Sequence, residues 1–231
     1  MRLAKPHLDI GLFTNRIESQ RAFWGDEVGL RFDHQVELRP GWVQHRFDAH
    51  DAVVKVNHWD GELPDLPPSG YACLTVARDG PAWAGRDPDG NPVRLVASGT
   101  DGVAGIGVTV RTPDPARLMA FYEEALGFER VAAGTARCGD TLLFLERGPG
   151  GADTDDFIGP GFRYLTMQIF DADAACEAVA ARGGRVAREP VTIRDVARIG
   201  FARDPDGNWI ELSARASLGA TIPPGPSVST L

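Results

Sequence analysis

The sequence predicts an α+β fold in which one strand–helix–strands unit is used twice. Three pairs of segments carry that prediction. "RDPDGNPVRL" (residues 86–95) returns as "RDPDGNWIEL" (203–212). "RAFWGDEVGLRF" (21–32) is similar to "MAFYEEALGFER" (119–130). Each of these is preceded by a strand-like run, "LDIGLFT" (8–14) and "IGVTVRT" (106–112). A repeat on this scale constrains the architecture before any single element is assigned. The small-residue stretch "SGTDGVAG" (98–105) has linker character. The expected domains are therefore 1–98 and 103–216, and the aperiodic tail over 217–231 is expected to be disordered.

Taken in order, the first copy opens on the strand 8–14 and a helix around 17–28 that presents Phe23, Trp24 and Val28 before Gly29. Strands follow over "AVVKVNHW" (52–59), "YACLTVA" (71–77) and "NPVRLVA" (91–97). The second copy signals its helix more strongly. In "PDPARLMAFYEEALGF", Asp114 caps, Pro115 suits the first turn and Gly127 suits the C-terminal end. Leu118, Phe121, Tyr122, Ala125 and Leu126 recur on one face. Strands follow over "TLLFLE" (141–146) and "RYLTMQIF" (163–170). A second helix, "DADAACEAVAARGG" (171–184), then runs from an Asp cap to a Gly stop. The first copy has no counterpart to that helix: after "YACLTVA" comes only "RDGPAWAG" (78–85). Its rear module is thus truncated, short of the helix and the strand behind it. In each DPDGN, Pro and Gly favour a tight turn and the Asp side chains bond the backbone. The strand that follows places Arg94 in the first copy where Glu211 stands in the second.

Bulk properties narrow the partners. The net charge is −8, which argues against nucleic acid or an anionic membrane surface. No apolar run nears the roughly 18 residues of a membrane span, and the N-terminal segment lacks a signal-peptide core. Cys73, Cys138 and Cys176 lie far apart with no CxxC pair, as expected of reduced thiols in a cytoplasmic protein. No P-loop, dinucleotide fingerprint or Ser-His-Asp elbow is present.

The segments "GVTVRT", "DPARLMAFYEEALGF", "RYLTMQIFDAD", "AARGGRV" and "FARDPDGNWIEL" together resemble the vicinal oxygen chelate superfamily, the glyoxalase, bleomycin-resistance and extradiol-dioxygenase group. The resemblance covers about residues 5–215 and is most specific in the second copy. It implies tandem βαβββ modules, paired so that two glyoxalase-like domains each enclose a cleft. It also implies four metal-ligand positions per domain, usually His, Glu, His and Glu. Carried over by local match, these fall on Asp9, Lys55, Tyr71 and Arg94 in the first copy, and on Gly107, Phe144, Tyr164 and Glu211 in the second.

Only Asp9 and Glu211 suit a divalent ion, which needs about three such ligands. The second copy has no histidine, since all five precede residue 59. The expectation is therefore no metal and no other cofactor. The alternative is a His7/Asp9/His45 set. Without a metal, the first cleft pairs Asp9 with Arg94, either as an internal ion pair or as an anion site with Lys55 and Tyr71. The second offers Phe144, Tyr164, Trp209 and Glu211 to a ring-bearing ligand, unless its aromatics are core. The loops 59–70 and 146–161 are placed to act as lids. Three functions stay open: a metal-independent binder of a small organic molecule, an enzyme of glyoxalase, epimerase or extradiol-dioxygenase type, and a regulatory partner protein. The expected assembly is a monomer or loose homodimer.

Overall fold

The computed structural model describes residues 1–224 and 227–228. The first module runs β1 (Leu3–Thr14), α1 (Ile17–Ala22, extended by a π-helical turn over Phe23–Glu27), β2 (Arg31–Arg39), β3 (Trp42–Ala49) and β4 (Ala52–Trp59). The second has three strands only, β5 (Tyr71–Ala77), β6 (Trp83–Arg86) and β7 (Pro92–Val96). The third runs β8 (Ile106–Thr112), α2 (Pro115–Leu126), β9 (Glu129–Ala132), β10 (Thr135–Cys138) and β11 (Thr141–Arg147). The fourth runs β12 (Gly161–Ile169), α3 (Ala172–Ala180), β13 (Arg185–Ile193), β14 (Ala197–Arg203) and β15 (Trp209–Arg215), with β16 (Ser227–Val228) added at the edge. The truncation is as the sequence implies: the second module lacks the helix and one strand of the fourth.

The modules pair across the repeat. One sheet, sheet A, has the order β16-β13-β14-β15-β12-β1-β4-β3-β2 and joins the first module to the fourth through antiparallel β1 and β12. The other, sheet B, has the order β6-β7-β5-β8-β11-β10-β9 and joins the second module to the third through antiparallel β5 and β8. Each sheet thus takes one module from each half of the chain. This corrects the grouping of site residues by sequence half.

Strand alternation then sorts the two faces. Leu8, Ile10 and Leu12 of β1, Leu165 and Met167 of β12, Leu74 and Val76 of β5 and Val108 and Val110 of β8 enter one apolar core shared with all three helices. The opposite faces carry the polar and aromatic residues considered below.

Both DPDGN turns are built alike. The Asp87 carboxylate accepts from the amides of Asp89 and Asn91, and Asp204 accepts from those of Asp206 and Asn208. The other oxygen of each ties the turn to a helix. Gln20 of α1 donates to Asp87 at 3.0 Å, and the Tyr122 hydroxyl of α2 donates to Asp204 at 3.1 Å. Burial pushes the Asp204 carboxyl up to about 6. Gly90 and Gly207 supply the positive φ that closes each turn.

The disorder expected over 217–231 does not hold for the described part. A 3₁₀ turn over Ala216–Leu218 leads to Ala220 and Ile222, which pack against the apolar core. Residues 225–226 and 229–231 lie outside the described residues.

Candidate functional site

On the polar face of sheet A, Asp9 of β1 stands opposite Thr166 of β12, and Thr166 beside Glu211 of β15. Lys55 of β4 stands beside Gly11, one pleat along from Asp9. The lysine amine fills the centre. Its Nζ lies 2.6 Å from Thr166 Oγ1, 3.0 Å from Glu211 Oε2 and 3.4 Å from Asp9 Oδ2. The Thr166 hydroxyl donates to Glu211 at 2.7 Å, so toward Lys55 it accepts. The amine thus donates to Thr166 and Glu211 and makes an ion contact with Asp9, two carboxylates facing one nitrogen. The group is sealed: Asp9 and Lys55 are 1% exposed and Glu211 is 4% exposed.

Two influences oppose each other here. Burial pushes the Lys55 amine below its ordinary value, while Glu211 and Asp9 push it back. Burial raises the Glu211 carboxyl, but Lys55, Arg215 and Thr166 outweigh it and hold the group below the usual range. The two carboxylates at 3.0 and 3.4 Å from Nζ favour the ionised pair.

Tyr164 lies one pleat from Thr166, facing Gly11. Its ring sits where a β-carbon on Gly11 would be, 2.2 Å away, so only glycine fits at that position. Its hydroxyl is bonded to Asn57 and Gln44 at 3.2 Å, and burial raises it. Beyond it the face is aromatic. Phe157, from the expected lid 146–161, is wedged against Phe201 at 4.7 Å between ring centroids and against Tyr164 and Trp209 at 5.3 Å. Arg188 covers Phe157 at 4.9 Å and pairs with Asp156 at 3.1 Å, and Trp209 donates to Thr154 at 3.1 Å. The ring-shaped space expected for a ligand is filled by the protein's own Phe157.

On the equivalent face of sheet B the centre is buried, with Thr75 1% exposed, and Arg94 reaches solvent. Thr75 of β5 stands beside Arg94 of β7 and opposite Gly107 of β8, as Thr166 stands beside Glu211 and opposite Asp9. Phe144 of β11 stands beside Thr109, two residues after Gly107, as Lys55 stands beside Gly11. Arg94 and Glu211 are therefore structurally equivalent, as the repeat implies. The expected Asp9–Arg94 pair does not form, because the two residues lie in different sheets. Arg94 instead meets exposed Asp101 at 3.4 Å, with 46% of its side chain exposed. Tyr71 departs from its expected place as well. A β-bulge between Tyr71 and Cys73 turns it to the core side, where its hydroxyl donates to the Trp209 carbonyl at 3.0 Å. Cys73 takes the position equivalent to Tyr164.

Asp9, Lys55, Tyr164, Trp209 and Glu211, expected in two clefts, come together in sheet A. Arg94 and Phe144 lie on sheet B with Thr75, Thr109 and Cys73, which the sequence did not single out. Thr166 and Asn57 were missed in sheet A, and neither carries a motif. His7 shares the face of Asp9 with both ring nitrogens buried and unpartnered. His45 stands beside Val56, whose side chain enters the core, so it faces the helices. The His7/Asp9/His45 set does not converge.

The family's metal does not fit either face. In sheet A an ammonium stands between the two carboxylates. In sheet B the four positions hold Gly107, Phe144, Cys73 and Arg94. Among the described residues no group of three His, Cys, Asp or Glu is arranged to hold an ion.

Comparison with known proteins agrees with this architecture. The model of the Glyoxalase/Bleomycin resistance protein/Dioxygenase superfamily matches residues 106–212. The lactoylglutathione lyase of Haemophilus influenzae is 31% identical over 127 residues, 48% of this chain and 94% of that one. A probable lactoylglutathione lyase of Vibrio parahaemolyticus is 28% identical over 125 residues, 48% of this chain and 91% of that one. Glyoxalase I from Zea mays superposes with a TM-score of 0.69 at 17% identity, covering 90% of this chain and 92% of that one. A putative dioxygenase from Bacillus subtilis gives 0.66 at 17%, covering 97% and 87%. The chain belongs to the glyoxalase/bleomycin resistance/dioxygenase superfamily. The matched stretch 106–212 supplies the third module to sheet B and the fourth to sheet A.

Proposed function

We propose that this protein binds a small organic anion with an apolar or ring-bearing body on the Arg94-bearing face of sheet B, without a metal ion. One observation carries the reading. Arg94, half-exposed, pairs with the exposed Asp101 and stands beside Thr75, whose buried hydroxyl has no hydrogen-bond partner among the described residues. A carboxylate or enolate seated there takes a forked pair of bonds from Arg94 and satisfies Thr75. Phe144 offers an apolar surface two strands from Thr75 and three from Arg94, and exposed Arg111 adds positive charge. Burial raises the Cys73 thiol, which favours a neutral contact over a nucleophile.

The relatives' names favour a second reading, a glyoxalase-type lyase or another enzyme of the superfamily. Metal-assisted members stabilise an enolate with an ion. The donor sets described above do not supply that ion's ligands, which supports the binding reading. The three free cysteines support a cytoplasmic setting. Both sheets are completed within one chain, which supports a monomer or loose homodimer. The acidic charge supports neither nucleic acid nor a membrane as partner, and among the described residues no helix is long and apolar enough to cross a membrane.

The test is calorimetric titration of EDTA-treated protein with a panel of aromatic and aliphatic carboxylates. The expected result is saturable binding to wild type and a loss of about tenfold or more in Arg94→Ala, the scale of one charge-assisted bond, with the melting temperature unchanged. Binding that needs added divalent metal, or that Arg94→Ala leaves unaltered, rejects the reading.

A further inference from the structure

We infer that the centre of sheet A is a divalent-cation site whose cation has been replaced by the chain's own Lys55 ammonium, and that a carboxylate at position 55 returns it to metal binding. The inference is independent of the ligand proposed for sheet B. It rests on how the charges converge. Asp9 and Glu211 come from opposite ends of the chain and are almost wholly enclosed, and the group brought between them is one positive charge. Thr166 Oγ1 adds a third oxygen at 2.6 Å from Nζ. Enclosed oxygens of this kind suit a hard or borderline divalent ion.

Length and charge both favour the exchange. A glutamate at position 55 ends its oxygens one bond short of the lysine nitrogen. An ion about 2.0–2.2 Å beyond them falls near the place Nζ now holds. Two carboxylates and an ammonium sum to one negative charge, and three carboxylates and a divalent ion sum to the same. The surrounding charges, Arg46 and Arg215 among them, therefore meet an unchanged balance.

The test compares wild type, Lys55→Glu and Lys55→Glu/Glu211→Gln. Each is refolded with Mn(II), Ni(II) or Zn(II), freed of excess ion, and assayed for bound metal by mass spectrometry and for its melting temperature. The expected result is no stoichiometric metal in wild type and about one equivalent in Lys55→Glu. The variant's melting temperature rises on metal addition, and the double variant loses both effects. Lys55→Gln, which keeps a neutral oxygen at that position, is the second variant should Lys55→Glu fold poorly. It is expected to bind the same ions more weakly. The inference is overturned if wild type itself holds one equivalent that Glu211→Gln removes. It is equally overturned if neither position-55 variant takes up metal, whether folded or not. Ligand binding at sheet B, measured on the same wild-type protein, is unaffected by either outcome.

Discussion

Replacing Lys55 by methionine keeps an apolar stem of similar length, with sulfur for one methylene, and removes the ammonium. What remains are Asp9 and Glu211, both enclosed and both charged. Breaking a buried pair by deleting one partner costs about 3–5 kcal/mol, because the other charge is left uncompensated. The structure puts this case at the lower end. Asp9 keeps the Val53 amide at 3.1 Å and a Gln168 contact at 3.4 Å, and Glu211 keeps the Thr166 hydroxyl at 2.7 Å. Lys55→Met is therefore expected to lose about 3 kcal/mol in urea denaturation at neutral pH followed by circular dichroism. Lys55→Met/Glu211→Gln removes a charge from each side and is expected to lose less than the single variant. The pH dependence has a definite sign. Glu211 is held below its ordinary value in the folded protein. Its contribution is present above the unfolded value and lost as pH falls through the depressed one. Without Lys55 that contribution is absent, so the gap between variant and wild type narrows in acid. A loss under about 1 kcal/mol, or a gap that widens in acid, refutes the ion-paired centre.

Two further perturbations test the surrounding account. Asp204, wholly buried, has its carboxyl raised to about 6 in the folded protein. Stability from this group is full below the unfolded value and is lost as pH rises through about 6, a swing on the order of 3 kcal/mol. Asp204→Asn should remove that slope between pH 4 and pH 7, and a parallel pH–stability curve would count against the assignment. Phe157→Ala empties the aromatic wedge of sheet A and is expected to cost about 3 kcal/mol, with red-shifted tryptophan emission as Trp42 and Trp209 become wetted. A change within about 0.5 kcal/mol, the scale of an ordinary surface substitution, would show that the loop does not plug the cleft.

The repeat was legible because DPDGN and the helix segments are local signals, fixed by turn chemistry and helical spacing. The equivalence of Arg94 and Glu211 followed from their shared place after DPDGN, and the missing helix from the shortness of the segment 78–85 after "YACLTVA". Which modules share a sheet was not legible. The pairing of β1 with β12 joins residues more than a hundred positions apart, and no periodicity encodes it. For that reason Lys55 and Glu211 were both identified, yet assigned to different clefts. Tyr71 was misplaced because a single bulge shifts the register by a residue and reverses its face. Thr166 and Asn57 matter only through their neighbours, and their letters alone gave no reason to choose them.

The most direct test of the account is two-dimensional ¹H–¹⁵N NMR of EDTA-treated protein titrated with benzoate. Saturable shifts are expected, confined to the amides around Cys73, Thr75, Arg94, Thr109 and Phe144, with Asp9, Lys55, Thr166 and Glu211 unmoved. Shifts centred on Lys55 and Glu211, or shifts that arise only after a divalent ion is added, would contradict it.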